Sequence, residues 1–368
     1  MTVNELYLDG FRNYHDLNAK FCDGVNVIKG RNAQGKTNLI EAIYYLTGGR
    51  SFRQASDKEL ITFNNETACI RAGIVSSERE QTLEARIYRG RRREIIANDV
   101  KLKKVAELAG RLTAVLFSPD DLTLIKDGAS VRRKMMDNCL SQLRPGYLAA
   151  LTEFNKLYEN KTRILRDHHE KPSLLDLLDD FDLRLAEQSA KLIYYRAAFS
   201  DSLSRRAKTI HKEFSDGTET LSIKYKTVGR MDAYGKKPSE LLPQLLEHQR
   251  NHRNAELSSR LCLSGAHKDD LEIDINNNEA RKYASQGQAR TASVSIKMAE
   301  RDIHYENRNE YPVLLLDDVL SELDSKRQSF ILNRIRYGQV FITCCEDMAI
   351  TKFQNCNTLQ IDNGKIIS

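Results

Sequence analysis

A short segment near the start of the chain has the residue types of a phosphate-binding loop. It reads Gly-Arg-Asn-Ala-Gln-Gly-Lys-Thr over positions 30–37 and fits the pattern GxxxxGK[ST]. Glycines permit a tight loop whose amide groups, with the start of a following helix, surround a phosphate, while the lysine reaches the β- and γ-phosphates and the threonine ligates Mg²⁺. The expected phosphate-contacting residues are Gly30, Arg31, Asn32, Ala33, Gln34, Gly35, Lys36 and Thr37.

The elements around this loop are the ones that its chemistry needs. An apolar segment at 25–28 predicts a strand before the loop, and apolar spacing at about 36–46 predicts a helix after it. Strand, loop and helix in this order favour a phosphate site over a chance glycine-rich turn.

Two adjacent carboxylates follow an apolar run in the last quarter of the chain. Val313–Leu316 predicts a buried strand, and Asp317 and Asp318 come directly after it. Asp317 can enter the coordination sphere of Mg²⁺, and Asp318 can take the proton of an attacking water. Two solvated acids at a strand end would be the ordinary interpretation, but the phosphate loop favours a catalytic one. We therefore expect Lys36, Asp317 and Asp318 to be catalytic, with Thr37 and Asp317 as the Mg²⁺ ligands.

A serine at the start of a helix precedes these acids. Ala284-Ser285-Gln286-Gly287-Gln288 leads into a helix expected over 289–301. A serine beside a glycine at a helix N-terminus can donate to a phosphate, which is what a second subunit would do for a nucleotide held by the first. By itself this string is weak, because an ordinary helix cap has the same residues.

The remaining pattern predicts an α/β body with a helical insertion. Alternating segments in the first third indicate strands, including a hairpin that turns at Asp23-Gly24. After Pro119 the period changes towards 3.6, which predicts three helices forming a bundle core, the first capped by Ser130. The last hundred residues alternate helix and buried strand. We expect three segments: a first ATPase-type lobe part at 1–120, an inserted helical arm at 121–212, and a second lobe part at 213–368.

Composition excludes several classes of protein. The 368 residues are 40% hydrophobic and 29% charged, which is ordinary globular usage. The apolar run before Asp317 is far shorter than the roughly 20 residues of a membrane-spanning helix. Acids stand at the N-terminus where a secretory signal would be basic, and the seven cysteines form no CxxC pair. These observations predict a cytoplasmic protein with reduced thiols and no membrane association.

The positive charge is concentrated in one region. The net charge is +6, and the window 81–144 contains fourteen Lys and Arg against eight Asp and Glu. Such a window can contact nucleic-acid phosphates or be a solvated charged face. Its densest cluster, Arg89-Gly-Arg-Arg-Arg93, is the DNA-contact hypothesis.

Together these segments resemble the SMC-type ATP-binding-cassette ATPases of DNA repair, and in detail the RecF family. The resemblance rests on the order of loop, serine, paired acids and the 321–324 segment, and on four strings: 30–42, Leu8-Asp-Gly-Phe-Arg-Asn-Tyr14, 117–122 with Arg132-Arg133, and 265–271. It implies an α/β P-loop ATPase head with a short helical arm inserted. It further implies nucleotide contacts by Ser285, Gly287, Gln288 and Asp324.

The resemblance also implies a function. The expected protein binds ATP and Mg²⁺, forms an ATP-dependent head-to-tail homodimer, and acts in recombinational repair, DNA replication and the SOS response. Its expected partners are DNA with single-strand gaps, duplex or junctions, mediators of the RecO and RecR type, and, indirectly, RecA, whose filaments it would help to load.

Several departures from the family pattern predict slow ATP hydrolysis. Asp318 stands where Glu is commoner, no histidine follows the 340–345 segment, and no glutamine lies in 117–122. Ala33 and Ala284 replace a usual Gly and Leu, and Thr343 is a candidate substitute for the missing histidine. A membrane-transport ATPase is disfavoured because Lys36 and Ser285 lie too far apart. An SMC-like structural DNA clamp, with ATP as a dimer switch and little turnover, stays open.

Overall fold

The computed structural model describes residues 1–345 and 356–367, and its contacts divide the chain into two compact units. The first unit comprises Met1–Thr123 with Lys297–Ser368, and the second comprises Leu124–Ile296. The expected boundaries at 120 and 212 stay a prediction. The contacts group residues 213–296 with the helical insertion, because the strands and helix of that segment pack on it.

The secondary structure alternates as expected for an α/β chain. The strands are β1 (Thr2–Phe11), β2 (Tyr14–Lys20), β3 (Val25–Lys29), β4 (Thr67–Val75), β5 (Glu80–Tyr88), β6 (Glu94–Ala97), β7 (Val100–Lys101), β8 (Ala114–Phe117), β9 (Leu221–Lys226), β10 (Asp270–Ile275), β11 (Asn278–Glu279), β12 (Val313–Leu316), β13 (Val340–Cys344), β14 (Cys356–Asp362) and β15 (Lys365–Ile366). The α-helices are α1 (Lys36–Gly48), α2 (Asp57–Leu60), α3 (Ala129–Leu143), α4 (Pro145–Asp167), α5 (Leu178–Phe214), α6 (Pro238–Ser259), α7 (Ala280–Tyr283), α8 (Gln286–Arg308) and α9 (Ser325–Arg334).

Two six-stranded sheets form the first unit. One is antiparallel with the order β2-β1-β4-β5-β6-β7; the other has the order β15-β14-β3-β13-β12-β8 and is parallel except for β15. Helix α1 is buried on almost all sides, and its Leu39, Ile40 and Ile43 belong to the same apolar core as residues of both sheets. A helix that is buried on nearly every side lies inside a core, and the buried Glu41 of α1 is paired with Arg12. The phosphate loop is therefore continuous with the most buried helix of this unit.

The parallel sheet brings distant parts of the sequence to one edge. Strand β3 pairs with β13 on one side and β14 on the other, and β12 pairs with β13 and β8. Parallel strands end at the same edge, and the loops after those ends are where α/β sheets bind ligands. The segments that follow β3 and β12 are the phosphate loop and the paired acids.

The predicted hairpin at Asp23-Gly24 is wrong. Strand β2 pairs with β1 in the antiparallel sheet, whereas β3 lies in the middle of the parallel sheet. The chain changes sheets at this turn, and the buried Asn26 side chain holds it by accepting from Cys22 N (3.0 Å) and donating to Cys22 O (2.9 Å). An Asp-Gly pair predicts a turn, but it does not determine which strands pair after it.

Helices α3 to α7, the first part of α8 and a small sheet, β11-β10-β9, form the second unit. Most of the apolar positions expected in its core are buried, among them Met135, Leu151 and Leu185. The expected cap Ser130 is wrong, because α3 begins at Ala129 with Gly128 at the N-cap. Within the described residues, no helix has the length and apolar character needed to cross a bilayer.

Candidate nucleotide-binding site

The ammonium group of Lys36 lies inside the phosphate loop. It donates to the carbonyl oxygens of Gly30 (2.8 Å) and Arg31 (3.1 Å) and lies 3.2 Å from Cys345 Sγ, and the side chain is almost fully buried. Arg31, Asn32 and the other residues at the loop tip face solvent. A cation folded into a loop whose tip is open is placed to meet an anion that enters from solvent.

Neither glycine of the loop pattern has room for a Cβ atom. A Cβ atom on Gly30 would lie 2.4 Å from the carbonyl oxygen of Ile361 in β14. Gly35 has φ 118°, and a Cβ there would lie 2.7 Å from Asn13 Nδ2. Any other residue would displace backbone or side chains at these positions.

The loop is braced by residues that its motif does not contain. The carbonyl of Gln34 accepts from Asn13 Nδ2 (2.8 Å) and from the backbone N–H of Gly364 (3.1 Å), and its side chain accepts from Asn363 N (2.6 Å). Tyr14 donates its hydroxyl to the Gly35 carbonyl at 3.0 Å. The Asn-Gly pair at 363–364 is a turn signal in the sequence, but no local pattern relates it to residue 34.

The first of the paired acids meets the loop threonine. Asp317 Oδ1 accepts from Thr37 Oγ1 (3.0 Å) and from Thr343 Oγ1 (2.9 Å), while Asp318 N donates to Thr343 Oγ1 (2.8 Å). Burial raises the pKa of Asp317, and the two hydroxyl donors partly oppose that rise. Asp318 is only half-buried and has φ 50°. Four residues expected at one site, Lys36, Thr37, Asp317 and Asp318, therefore lie on the same edge of the sheet.

The donor set suits Mg²⁺ and a triphosphate. A hydroxyl and a carboxylate oxygen are hard ligands of the kind that Mg²⁺ takes together with substrate phosphates and water. Thr37 Oγ1 and Asp317 Oδ1 are already neighbours, and both are held by the loop or by Thr343. These two residues would hold the ion, and Lys36 would face the phosphates.

Ser285, Gly287 and Gln288 lie in the second unit. Helix α8 begins at Gln286, earlier than the expected 289, so these residues form its first turn. Gln288 N donates to Ser285 Oγ (3.2 Å), and Ser285 N donates to Gln288 Oε1 (2.9 Å), which is a reciprocal cap. Ser285 is exposed at this helix tip. Its contact with a nucleotide stays a prediction.

The side chain of Asp324 has a structural role. It is the N-cap of α9, where its side chain accepts from Arg327 N at 2.9 Å and pairs with the Arg327 guanidinium. The pKa of Asp324 is lowered, chiefly by the bond from the Arg327 backbone N–H. A direct contact between Asp324 and a nucleotide stays a prediction.

Several cations of the 81–144 window make structural contacts. Arg89 donates to the carbonyls of Asn65 and Thr62, and Arg93 pairs with Asp57 while donating to the Tyr45 hydroxyl at 2.7 Å. Arg132 forms a two-bond pair with Asp270. The window is therefore a mixture of anchoring and surface charges.

Five exposed cations of the 81–144 window lie beside β6 and β7, and we call them the β6 edge: Arg91, Arg92, Lys101, Lys103 and Lys104. Lys101 lies opposite Ile96 and pairs with Glu94 at 2.7 Å, and Leu102 N donates to Ile95 O, so the chain after β7 runs back towards the arginines. The Arg91 guanidinium covers the ring of Tyr88 at 3.7 Å.

Comparison with known protein families gives one family over nearly the whole length. Residues 2–368 match the family described as the RecF/RecN/SMC N terminal domain. Curated proteins called "DNA replication and repair protein RecF" are similar throughout. The protein from Acetivibrio thermocellus is 39% identical over 94% of both chains, and that from Clostridioides difficile is 38% identical over 100% of this chain and 98% of its own.

Solved structures agree with this result. One described as the recombination mediator protein RecF-ATPrS in the RecFOR pathway superposes with a TM-score of 0.92 at 34% identity, covering 99% of this chain and 97% of the other. A second, described as RecF-ATP, gives 0.90 at 35% identity and covers 99% and 96%. A Pyrococcus furiosus Smc head domain shares the fold, with a TM-score of 0.57 at 16% identity over 99% and 95%.

Proposed function

The chain belongs to the RecF family of SMC-type ATPase heads, and from that membership we propose that it binds ATP with Mg²⁺ and acts on DNA in replication and recombinational repair. The α/β head fold with a helical insertion is shared by these relatives. The names of the relatives support the proposal, since they describe a repair protein, an ATP complex and a mediator pathway.

One observation carries the ATP part of the proposal. Thr37 and Asp317 come from opposite ends of the chain and share a hydrogen bond of 3.0 Å at the mouth of a loop that contains the Lys36 ammonium. That pairing is the arrangement in which a P-loop ATPase binds Mg²⁺ and the β- and γ-phosphates.

We further propose that two copies assemble head to tail around two ATP molecules. Ser285 is exposed at the start of α8, and the backbone N–H groups of a helix start attract phosphate. Each copy would offer Ser285, Gly287 and Gln288 to the nucleotide in the other copy's loop. The dimer would engage gapped, duplex or junction DNA and cooperate with RecO- and RecR-type mediators in loading RecA.

Hydrolysis in this proposal is slow. Asp318 is one methylene shorter than the Glu that such sites commonly use, so its carboxylate reaches less far towards an attacking water. The clamp alternative, with ATP as a dimer switch, predicts ATP-dependent dimers with little turnover, whether or not DNA is present. Rates of phosphate release with and without DNA distinguish the two.

The β6 edge is the surface that we propose for DNA. Arg92, Lys103 and Lys104 are exposed, and in the described part of the chain none of the three enters an ion pair. Phosphate contacts by such residues give affinity that falls with salt. Arg89 and Arg93, which belong to the same cluster in the sequence, anchor neighbouring segments instead and are poor candidates.

The experiment that tests the proposed function compares two variants with the native chain. Lys36→Ala should abolish ATP binding, because it removes the cation inside the loop. Ser285→Arg should leave ATP binding unchanged and block ATP-dependent dimerisation and turnover, because the bulky side chain would occupy the phosphate position in the other copy. Fluorescent-nucleotide titration, analytical ultracentrifugation and phosphate release are the measurements.

Each half of the proposal has its own contradicting result. A Lys36→Ala chain that binds ATP as tightly as the native chain would remove the nucleotide site from this loop. Normal dimerisation of Ser285→Arg with ATP and Mg²⁺ would leave the nucleotide site intact and refute the shared one.

A further inference from the structure

The segment that precedes Ser285, helix α7 and Ala284, is held by a lysine from a distant part of the second unit. Lys126 Nζ donates to the carbonyl oxygens of Ala284 (2.5 Å), Arg281 (3.2 Å) and Ala280 (3.4 Å). An ammonium group has three donors and no acceptor, so these three carbonyls account for its whole hydrogen-bonding capacity. The carbonyl of Ala284 belongs to the peptide unit that continues into Ser285.

The first turn of α8 is held from the other side by a carboxylate. Gln288 Oε1 accepts from Ser285 N, and Gln288 Nε2 donates to Glu219 Oε1 at 2.9 Å. A carboxylate only accepts, so Glu219 requires the NH₂ side of the Gln288 amide to face it. The amide oxygen is then directed at Ser285 N, and the orientation of the Gln288 amide depends on Glu219.

Glu219 is itself fixed to the end of the long helix α5. Its Oε2 lies 3.0 Å from His211 Nε2, and His211 Nδ1 lies 3.3 Å from Ser295 Oγ, two turns along α8 from Gln288. The His211 side chain is fully buried, and burial lowers its pKa. Ser215 N donates to His211 O, and Glu219 N donates to Ser215 Oγ, which joins the α5 end to this chain of bonds.

These hydrogen bonds are more numerous than the N-terminus of a helix ordinarily requires. The reciprocal bonds between Ser285 and Gln288 already satisfy the cap of α8. Lys126 is exposed, as are Tyr283 and Ser285, and bonds on an exposed turn contribute little to folding stability. What they do fix is the direction of the short segment that carries the Ser285 hydroxyl.

We propose that Lys126 and Glu219 are positioning residues that hold Ser285 in the geometry needed to bind a triphosphate in a second copy of this chain, and that Glu219 links this serine to the end of α5. The inference rests on the proposed function, because Ser285 matters only if the nucleotide is shared. Neither residue touches the nucleotide; both act through Ser285. Lys126 is thereby assigned to the nucleotide site, although it lies in the basic window that the sequence relates to DNA.

The test uses the full chain with ATP and Mg²⁺. Lys126→Met and Glu219→Ala should each weaken ATP-dependent dimerisation by about tenfold, the effect of losing one or two charge-assisted hydrogen bonds. Nucleotide binding to the monomer should change by less than about twofold, since the phosphate loop is untouched. Lys126→Arg and Glu219→Gln should recover part of the loss, because each keeps a donor or an acceptor at the same place.

Matched substitutions serve as controls. Lys156 on α4 and Glu247 on α6 are exposed, so Lys156→Met and Glu247→Ala make the same substitutions away from Ser285 and should dimerise as the native chain does. In a Ser285→Ala background, Lys126→Met should cause no further loss, because its effect passes through the serine. A merely structural role would lower the melting temperature and add to the effect of Ser285→Ala.

Two results would overturn the inference, and they differ from failure of the proposed function. Native-like dimerisation of both Lys126→Met and Glu219→Ala, or losses that add fully to that of Ser285→Ala, would show that the two residues do not position the serine. A native chain that stays monomeric with ATP and Mg²⁺ would instead refute the shared nucleotide itself, and the inference with it.

Discussion

Asp317 is a residue at which burial and hydrogen bonding act in opposite directions. Burial disfavours its charged form, whereas the hydroxyls of Thr37 and Thr343 favour it. The sequence predicted the acid and its partner Thr37, because both belong to recognisable strings. It named Thr343 only as a substitute for a histidine, since no spacing rule shows that β13 runs beside β12.

His304 gives a prediction about pH. It is fully buried on α8, and burial, with the nearby cations Lys297 and Arg308, lowers its pKa to about 3. The unfolded chain takes up this proton at about pH 6.5, but the folded chain does not. Below pH 6.5 the residue should therefore cost about 1.4 kcal/mol of unfolding free energy per pH unit. Urea unfolding at pH 7, 6 and 5 measures this slope.

Substitution isolates the contribution of His304. His304→Gln should remove the part of the slope of unfolding free energy against pH that the uptake of about one proton causes. His15→Gln, at an exposed position, should keep the native slope. Equal slopes for native chain and His304→Gln would contradict a neutral buried imidazole.

At the scale of elements, the phosphate loop depends on how closely β3 and β14 approach. Gly30→Ala would place a methyl group 2.4 Å from the Ile361 carbonyl, so backbone must move. We expect a loss of about 2 kcal/mol or more in stability, with weaker ATP binding. Thermal unfolding and nucleotide titration measure both effects.

The control is Gly90, where an added Cβ atom has open space around it. A Cβ on Gly90 would meet nothing within 4 Å, so Gly90→Ala should leave both quantities unchanged. A Gly30→Ala chain that behaves like Gly90→Ala would mean that the loop does not need this approach.

Local patterns predicted the elements better than their pairing. The strand, loop and helix at 25–46, the helical insertion and the alternation near the end of the chain all follow from periodicity, and the family comparisons confirm the fold. The hairpin at Asp23-Gly24 failed because pairing is decided by long-range burial, which placed β3 between β13 and β14. The bracing of Gln34 by Asn363 and Gly364 was beyond prediction for the same reason.

At the scale of the molecule, net charge in the sequence overestimated how many cations of the 81–144 window are available to bind DNA. Net charge in a window does not separate arginines that anchor carbonyls and carboxylates, such as Arg89 and Arg132, from those that face water. The structure makes that separation and reduces the hypothesis to the β6 edge.

The β6 edge gives a prediction about salt. Replacing Arg92, Lys103 and Lys104 together by Ala should weaken DNA binding, because fewer cations then neutralise the DNA backbone. The slope of log affinity against log salt should fall by about 0.9 for each duplex phosphate that the variant no longer neutralises. ATP binding should survive. Titrations of duplex and gapped DNA at several salt concentrations measure the slope.

Exposed cations elsewhere provide the comparison. A triple Ala variant of Lys156, Lys171 and Arg250, which carries the same charge change on the second unit, should keep the native slope. Equal slopes for the native chain and the β6-edge variant would move the DNA-binding surface to another part of the protein.

The position of β3 between β13 and β14 has a consequence for synthesis on the ribosome. The second unit is one uninterrupted stretch of chain, so it can fold while translation continues, whereas the parallel sheet lacks both neighbours of β3 until β13 and β14 have been synthesised. The antiparallel sheet of β1, β2 and β4 to β7 can pair early, but β3 stays without its neighbours, so the loop that follows it gains its support only after β13 and β14 have been made.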